Sequence, residues 1–371
     1  MPTYIELSEY AALVLIIYLI FIALRRIRQW QIDKLEYKRE FSDTGVFEGQ
    51  TITLTETIYN KTFLPMLFVD VEAFIHCKLR IDSISAGAPD DEMQYLVSRF
   101  QLMPYMKIKR THTVNCIARG YYLLSNVCIF NLNRENPREA PAELFVYPML
   151  NDFSAVPRPQ NNLQGDCISL RRLLTDPFSI TGIRDYQSGD PFNLINFKAS
   201  ARTGFGKLKV NQRDFSSSRI FKLYINFQTD INSNIQTVKY ESLMEKALSD
   251  SATIIQSALE SGHHVGFSAN CYMINGDMYL KHNITAGAYY FEEMLKEMSM
   301  IRPRAGISFL SLVEFDLADG LKDSEVMIFT SYIDEVIDDE ILKLEHNGNS
   351  VNIFLLRTDD DEALEGAQSP I

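Results

Sequence analysis

The chain has 371 residues, 46% hydrophobic and 23% charged, values that exclude a disordered polymer and leave room for two buried cores beside a short special segment. Its net charge of −12, from 48 acidic against 36 basic residues, repels phosphates and argues against nucleic acid as a partner. Five widely spaced cysteines, Cys77, Cys116, Cys128, Cys167 and Cys271, form no CxxC pair and read as buried reduced thiols of a cytosolic protein.

The first element is the uncharged run Tyr10–Leu24, followed by Arg25, Arg26 and Arg28. Extended back through Leu7 and Ile5, it reads as a single transmembrane helix that touches membrane lipid over residues 5–30, with Tyr10 and Trp30 as interface anchors. Basic residues follow the run and only acids precede it. The positive-inside rule then places the N-terminus outside and the remaining chain in the cytoplasm, at a cytoplasmic (inner) membrane. Residues 1–40 are expected to be this anchor with a basic linker that includes Lys34, Lys38 and Arg39.

From Gln50 the period changes to two. Ile52, Leu54 and Ile58 share one face, opposite Thr51, Thr53, Thr55 and Thr57, as a half-buried strand requires. Val69, Val71, Ala73 and Ile75 repeat the pattern. Further strands are expected near residues 102–109, 113–118, 121–129 and 144–147, with a loop over 84–94, so 41–150 reads as an antiparallel β-sandwich.

Residues 151–218 form a connector rich in Gly, Pro and Asn, and strands and helices alternate after it. Arg219–Phe227 is a nearly continuous apolar run, the mark of a strand buried on both faces. A helix follows through Tyr240–Leu259, ended by Gly262, and His263 and His264 open the next strand as ordinary edge residues. The Asn275-Gly276 pair signals a hairpin turn. A second helix spans about 286–300, and two strands flank a helix that begins near Asp334. This alternation implies a parallel sheet over 219–358, before an acidic tail at 359–371. The fold class is thus α+β and multidomain, with a transmembrane helix, a β-sandwich and an α/β domain.

The segment Asp176–Val210 resembles the signature of the domain of unknown function 58 family. The matching residues are Gly182, Arg184, Tyr186, Gly189, Asp190, Ile195, Asn196, Lys198, Ser200, Ala201, Arg202, Leu208 and Val210, with supporting similarity over about Glu48–Leu356. Two positions depart from the pattern. Asn193 stands where the family has arginine, and Phe197 where it has tryptophan, an exchange of one buried aromatic for another.

Arg184, Asp190, Lys198 and Arg202 crowd opposite charges together. They suit either an Arg-carboxylate lock on the connector or a basic pocket for a phosphate or a partner's acidic side chain.

The resemblance implies a C-terminal domain similar to the von Willebrand factor A fold (Rossmann-like) and a MoxR-type AAA ATPase as partner. That fold often holds a divalent cation on a D-x-S-x-S loop. The matching residues here, Asn226, Gln228 and Asp230, lack the leading aspartate and both serines, so neither a metal nor another cofactor is expected. No G-x-S-x-G, HExxH or GxxxxGK[ST] occurs. The acids Asp334, Glu335, Asp338, Asp339 and Glu340 read as a solvated helix face. The expected function is a non-enzymatic, membrane-tethered protein-interaction or assembly factor. The alternatives are a metal-dependent hydrolase and a structural envelope component.

Overall fold

The computed structural model describes residues 4–81, 93–131, 134–152, 180–186, 195–202, 208–213, 219–229 and 237–357. The chain divides into two compact units, Met1–Tyr147 and Pro148–Ile371. Among the described residues it is strand-rich, with 45% strand against 30% helix.

The first unit opens with α1 (Tyr4–Asp33). No helix among the described residues is long and apolar enough to cross a membrane. The reason is length. The uncharged run Tyr10–Leu24 is about 22 Å long at roughly 1.5 Å per residue, short of a hydrocarbon core of about 30 Å. Extending it meets Glu6 and Glu9 on one side and Arg25 and Arg26 on the other. The expected transmembrane helix, its orientation and the membrane location that rested on it are corrected accordingly.

The expected linker is corrected too. Gln31 and Ile32 are buried, and residues Leu35–Phe41 form strand β1, which alternates Leu35, Tyr37, Arg39 and Phe41 along one face. Arg39, counted from sequence as a membrane-flanking charge, is only 2% exposed. Its Nε donates to the Ala140 carbonyl at 2.7 Å.

The sandwich continues with β2 (Gly45–Phe47), β3 (Thr51–Asn60), β4 (Met66–His76), β5 (Leu79–Ile81), β6 (Met93–Leu102), β7 (Lys107–Cys116), β8 (Gly120–Asn131) and β9 (Arg134–Tyr147). One sheet has the order β1-β3-β7-β5 and the other β2-β9-β8-β4-β6. All pairs are antiparallel except β2 with β9. The inward residues of both sheets meet in two apolar clusters, one around Leu54, Ile75, Val114 and Leu144, the other around Ile58, Val69, Phe100 and Ile129. Of the strand expected over 102–109, residues 103–106 instead lie between β6 and β7, and Lys107 already opens β7. The expected 84–94 loop lies outside the described residues up to 92, and Met93 and Gln94 already belong to β6. Pro137 and Pro141 are tolerated in β9 because β2 covers only Phe145–Tyr147 of its other side.

A buried carboxylate joins the two sheets. Glu56 of β3, 1% exposed, accepts from Tyr37 Oη of β1 at 2.5 Å, from Ser98 Oγ of β6 at 2.6 Å, and bonds His112 Nε2 of β7 at 2.8 Å. Burial pushes the Glu56 carboxyl up, but His112, Ser98 and Tyr37 outweigh it and hold the group below the ordinary range.

The second unit contains β10 (Ile180–Asp185), α2 (Phe197–Arg202), β11 (Lys209–Arg213), β12 (Ile220–Ile225), α3 (Thr237–Glu260), β13 (His264–Ala269) and β14 (Cys271–Met273). It ends with β15 (Leu280–Thr285), α4 (Ala288–Ser299), β16 (Ile301–Ala305), α5 (Phe309–Ala318), β17 (Glu325–Thr330), α6 (Glu335–His346) and β18 (Ser350–Leu355). The main sheet runs β15-β13-β12-β17-β18, parallel except for the antiparallel edge strand β15. Helix α3 packs on β12 and β13, while α5 and α6 cover the opposite face through Phe309, Leu312, Ile337 and Leu344.

Helix α3 stops where expected, because Gly262 takes φ 80°, a left-handed value that suits glycine. The hairpin expected around Asn275-Gly276 is split: β13 pairs with β15, whereas β14 diverges to pair with β16. Of the cysteines, Cys116 and Cys271 are buried, Cys128 is half-buried and Cys77 is exposed, so the buried reading fails for Cys77. Cys167 lies outside the described residues.

Candidate functional site

The signature segment builds a compact knot. β10 and β11 pair antiparallel, with Arg184 opposite Val210 and Asp185 opposite Lys209, and Lys209 Nζ reaches Asp185 Oδ1 at 2.8 Å. Asn196 begins α2 by accepting the Ala199 N–H on Oδ1 at 2.9 Å, and its own N–H donates to the Lys209 carbonyl at 2.8 Å. Ser200 Oγ donates to the Asn196 carbonyl and accepts the Lys209 N–H, each at 2.8 Å. Val210 and Ile195 are buried beneath this network.

Gly182 and Arg184 therefore lie in β10, Tyr186 follows it with its N–H on the Leu208 carbonyl, and Ser200 stands inside the knot. Lys198 and Arg202 sit exposed on α2. Gly189 and Asp190 lie outside the described residues, and with them the expected Arg184–Asp190 lock. Phe197, read as a buried aromatic, is 72% exposed.

A crevice opens where the main sheet changes direction. The chain leaves β12 toward β13 on one side, and β17 returns on the other, so the loops at their carboxyl ends part. The resulting cleft of about 420 Å³ is lined by Gln228 and Thr229 after β12, by Tyr332 and Asp334 after β17, by Ser308, Phe309 and Leu310 entering α5, and by Val336, Ile337 and Glu340 of α6. Just before α5, Gly306 lies so close to the chain leading into β15 that a Cβ there would stand 1.9 Å from the Met278 carbonyl oxygen.

The polar residues at its base bind one another. Asn226 Nδ2 donates to Thr330 Oγ1 at 3.3 Å, and Asn226 Oδ1 accepts from Asn270 Nδ2 and from the Gln228 N–H, both at 3.0 Å. Asn270 Oδ1 accepts the Phe227 N–H at 2.6 Å, and Gln228 Oε1 the Phe309 N–H at 2.8 Å. Asn226, Gln228, Asn270 and Thr330 thus tie three strands and α5 together. Asp230 lies outside the described residues. Among the described residues, no group of three or more His, Cys, Asp or Glu side chains is placed to hold a metal ion.

Of the acids on α6, Asp334 caps the helix by accepting the Ile337 N–H at 2.8 Å. Glu340 departs from the solvated reading: it is 1% exposed and faces the crevice. A second group escaped the sequence. Lys222 of β12 and Asp316 of α5 pair at 2.9 Å, and Lys281 of β15 reaches the same carboxylate at 2.9 Å, beside Tyr224 Oη at 2.7 Å and Ser268 Oγ at 3.2 Å. Burial pulls the Lys222 ammonium down against the attraction of Asp316. It pushes the Asp316 carboxyl up, but Lys222, Lys281 and Tyr224 outweigh it and hold the group below the ordinary range. The available signal was a lone lysine inside an apolar strand.

No family model matches the chain. The chain is similar to an uncharacterised protein. This is YeaD of Bacillus subtilis (strain 168), 23% identical over 292 residues, a match that takes in 74% of this chain and 65% of YeaD, under two thirds of its length. Among solved structures, the CARDB domain of the PF1109 protein from Pyrococcus furiosus is 13% identical with a TM-score of 0.21, covering 30% of this chain and 91% of that one. The C-terminal domain of Wzt is 11% identical with a TM-score of 0.22, covering 30% and 73%. Scores of this size do not establish a shared fold.

Proposed function

We propose that this chain is a non-catalytic protein-interaction or assembly component that binds a partner protein at the crevice between the carboxyl ends of β12 and β17. The observation that carries the reading is the state of the crevice floor. Asn226 bonds Thr330 and Asn270 through its side chain, and Gln228 Oε1 accepts the Phe309 N–H, which fixes the base under an apolar and acidic rim. A preformed concavity at a switch point is a common place for recognition.

Membership of the domain of unknown function 58 family, a von Willebrand factor A-like second unit, and a MoxR-type AAA ATPase as the partner class belong to the same proposal. The support for them is the signature residues Gly182, Arg184, Tyr186 and Ser200 together with the strand order and its antiparallel edge strand.

The test is capture of a purified MoxR-type ATPase from the same source by the immobilised chain. Wild type is expected to retain the ATPase. Val336→Arg, which puts a bulky charge on the exposed rim, is expected to release it at unchanged melting temperature. No retention by wild type, or equal retention by the variant, would overturn the proposal.

A further inference from the structure

We infer that the crevice takes a basic side chain, arginine or lysine, from an apolar segment of the partner protein, with Glu340 as its counter-charge. This rests on the protein-binding reading above and names the chemistry of the bound segment. Glu340 is 1% exposed, and its Oε1 is held by Lys343 Nζ, whereas its Oε2 is buried with no hydrogen-bond partner. A buried carboxylate oxygen without a partner is uncommon, because desolvation is left uncompensated. Glu340 lines the crevice, and a cation entering there supplies what the fold does not.

The surroundings select the kind of cation. Asp334 lies on the same crevice wall and Asp339 on the adjoining one, so the local field is negative apart from Lys343 and His346 on that adjoining wall. A guanidinium presents a planar fork of donors that matches carboxylate geometry, and an ammonium presents three. The volume of about 420 Å³ falls within the range of roughly 300–1,000 Å³ typical of ligand-holding clefts.

The surroundings also select a peptide over a free amine. A second hollow of about 360 Å³ shares Leu310, Val336 and Glu340 with the crevice and extends to Leu342. Val336 and Leu342 are 54% and 52% exposed, so an apolar track continues along α6 past the reach of one side chain. A segment with apolar residues beside its basic residue covers both hollows.

The experiment titrates the full chain, methyl-labelled at Leu and Val, with the tripeptide Ac-Leu-Arg-Leu-NH₂, with Ac-Leu-Glu-Leu-NH₂ and with N-acetylargininamide. The arginine peptide is expected to shift the methyls of Leu310, Val336 and Leu342 and to bind at least tenfold more tightly than either other probe. Glu340→Gln is expected to weaken it at least tenfold. Lys343→Ala, on the exposed side of the pair, is expected to lower the melting temperature of the free chain, because Glu340 loses its partner, and to tighten binding several-fold by removing the competing ammonium.

Equal binding of the glutamate peptide, equal binding of N-acetylargininamide, or no binding of the arginine peptide would overturn the inference. So would unchanged affinity in both variants. Retention of the partner protein by Glu340→Gln but not by Val336→Arg would overturn this inference and leave the proposed function standing. Retention by Val336→Arg would instead remove the proposed function.

Discussion

Lys222 and Asp316 pair at 2.9 Å in the interior of the second unit, the lysine 2% and the aspartate 5% exposed. The pair joins the central strand β12 to α5, and its two ends are not equivalent. Asp316 also accepts from Lys281, Tyr224 and Ser268, whereas burial disfavours the Lys222 charge.

Removing Asp316 therefore costs more than removing Lys222. Asp316→Ala leaves a buried ammonium uncompensated and is expected to lose about 3–5 kcal/mol. Lys222→Met leaves Asp316 with three partners and is expected to lose clearly less. Urea unfolding of both variants and of the double variant checks this. Equal losses would contradict the asymmetry.

The Glu56 network predicts acid sensitivity of the sandwich. The folded carboxyl is held below its ordinary value of 4.5, so its stabilising contribution is full above that pH. It is lost as pH falls from about 4.5 through the folded value. Chemical denaturation of residues Met1–Tyr147 within the full chain, followed between pH 7 and pH 3, is expected to show this slope. Glu56→Gln is expected to flatten it.

The knot in the signature segment predicts a local effect. Ser200→Ala removes the acceptor of the Lys209 N–H and a donor to the Asn196 carbonyl. A loss of about 1–2 kcal/mol is expected, with faster hydrogen exchange at the Lys209 amide and no change in the sandwich. Unchanged exchange at Lys209 would show that the hydroxyl does not hold the knot.

Placing an aspartate at the head of the loop after β12 is expected to do harm. Asn226→Asp replaces the donor to Thr330 and brings an acceptor only, at an expected cost of about 1–3 kcal/mol. Thermal melts with and without added magnesium check it. A magnesium-dependent rise of the melting temperature in the variant would show that the remaining oxygens can still form a site.

Thiol reactivity follows burial. Cys77 is exposed, while burial pushes the Cys116 thiol up to about 11. Among these two, native-state labelling with a thiol reagent is expected at Cys77 alone, with Cys116 reacting only after unfolding. Peptide mapping by mass spectrometry reads the outcome.

The crevice was only partly legible. Asp334 as a helix start and the loop Asn226–Thr229 after a buried strand follow from local pattern, and both line or support the site. Glu340 was hidden because it stands in a row of acids on a helix with one buried and one solvated face, and only the tertiary packing of α6 decides which acid turns inward. Helix α5, which supplies Asp316 and one wall of the crevice, is uniformly apolar enough that its period gave little signal.

Periodicity along the chain determined what depends on neighbours in sequence: the alternation of β3 and β4, the apolar face of α3, its stop at Gly262 and the turn at Asn275-Gly276. Tertiary structure decided what depends on distant partners. Arg39 is a sandwich residue because Ala140 offers a carbonyl, Glu56 is buried because His112, 56 positions later, meets it, and Asp316 is held by Tyr224, 92 positions away. It also decided the standing of the first helix, where an apolar run read from composition falls short in length once its charged ends are counted. The physical reason is common to all of these. Local pattern records which face of an element avoids water, whereas the cost of burying a charge is settled only by the groups that the fold brings to it.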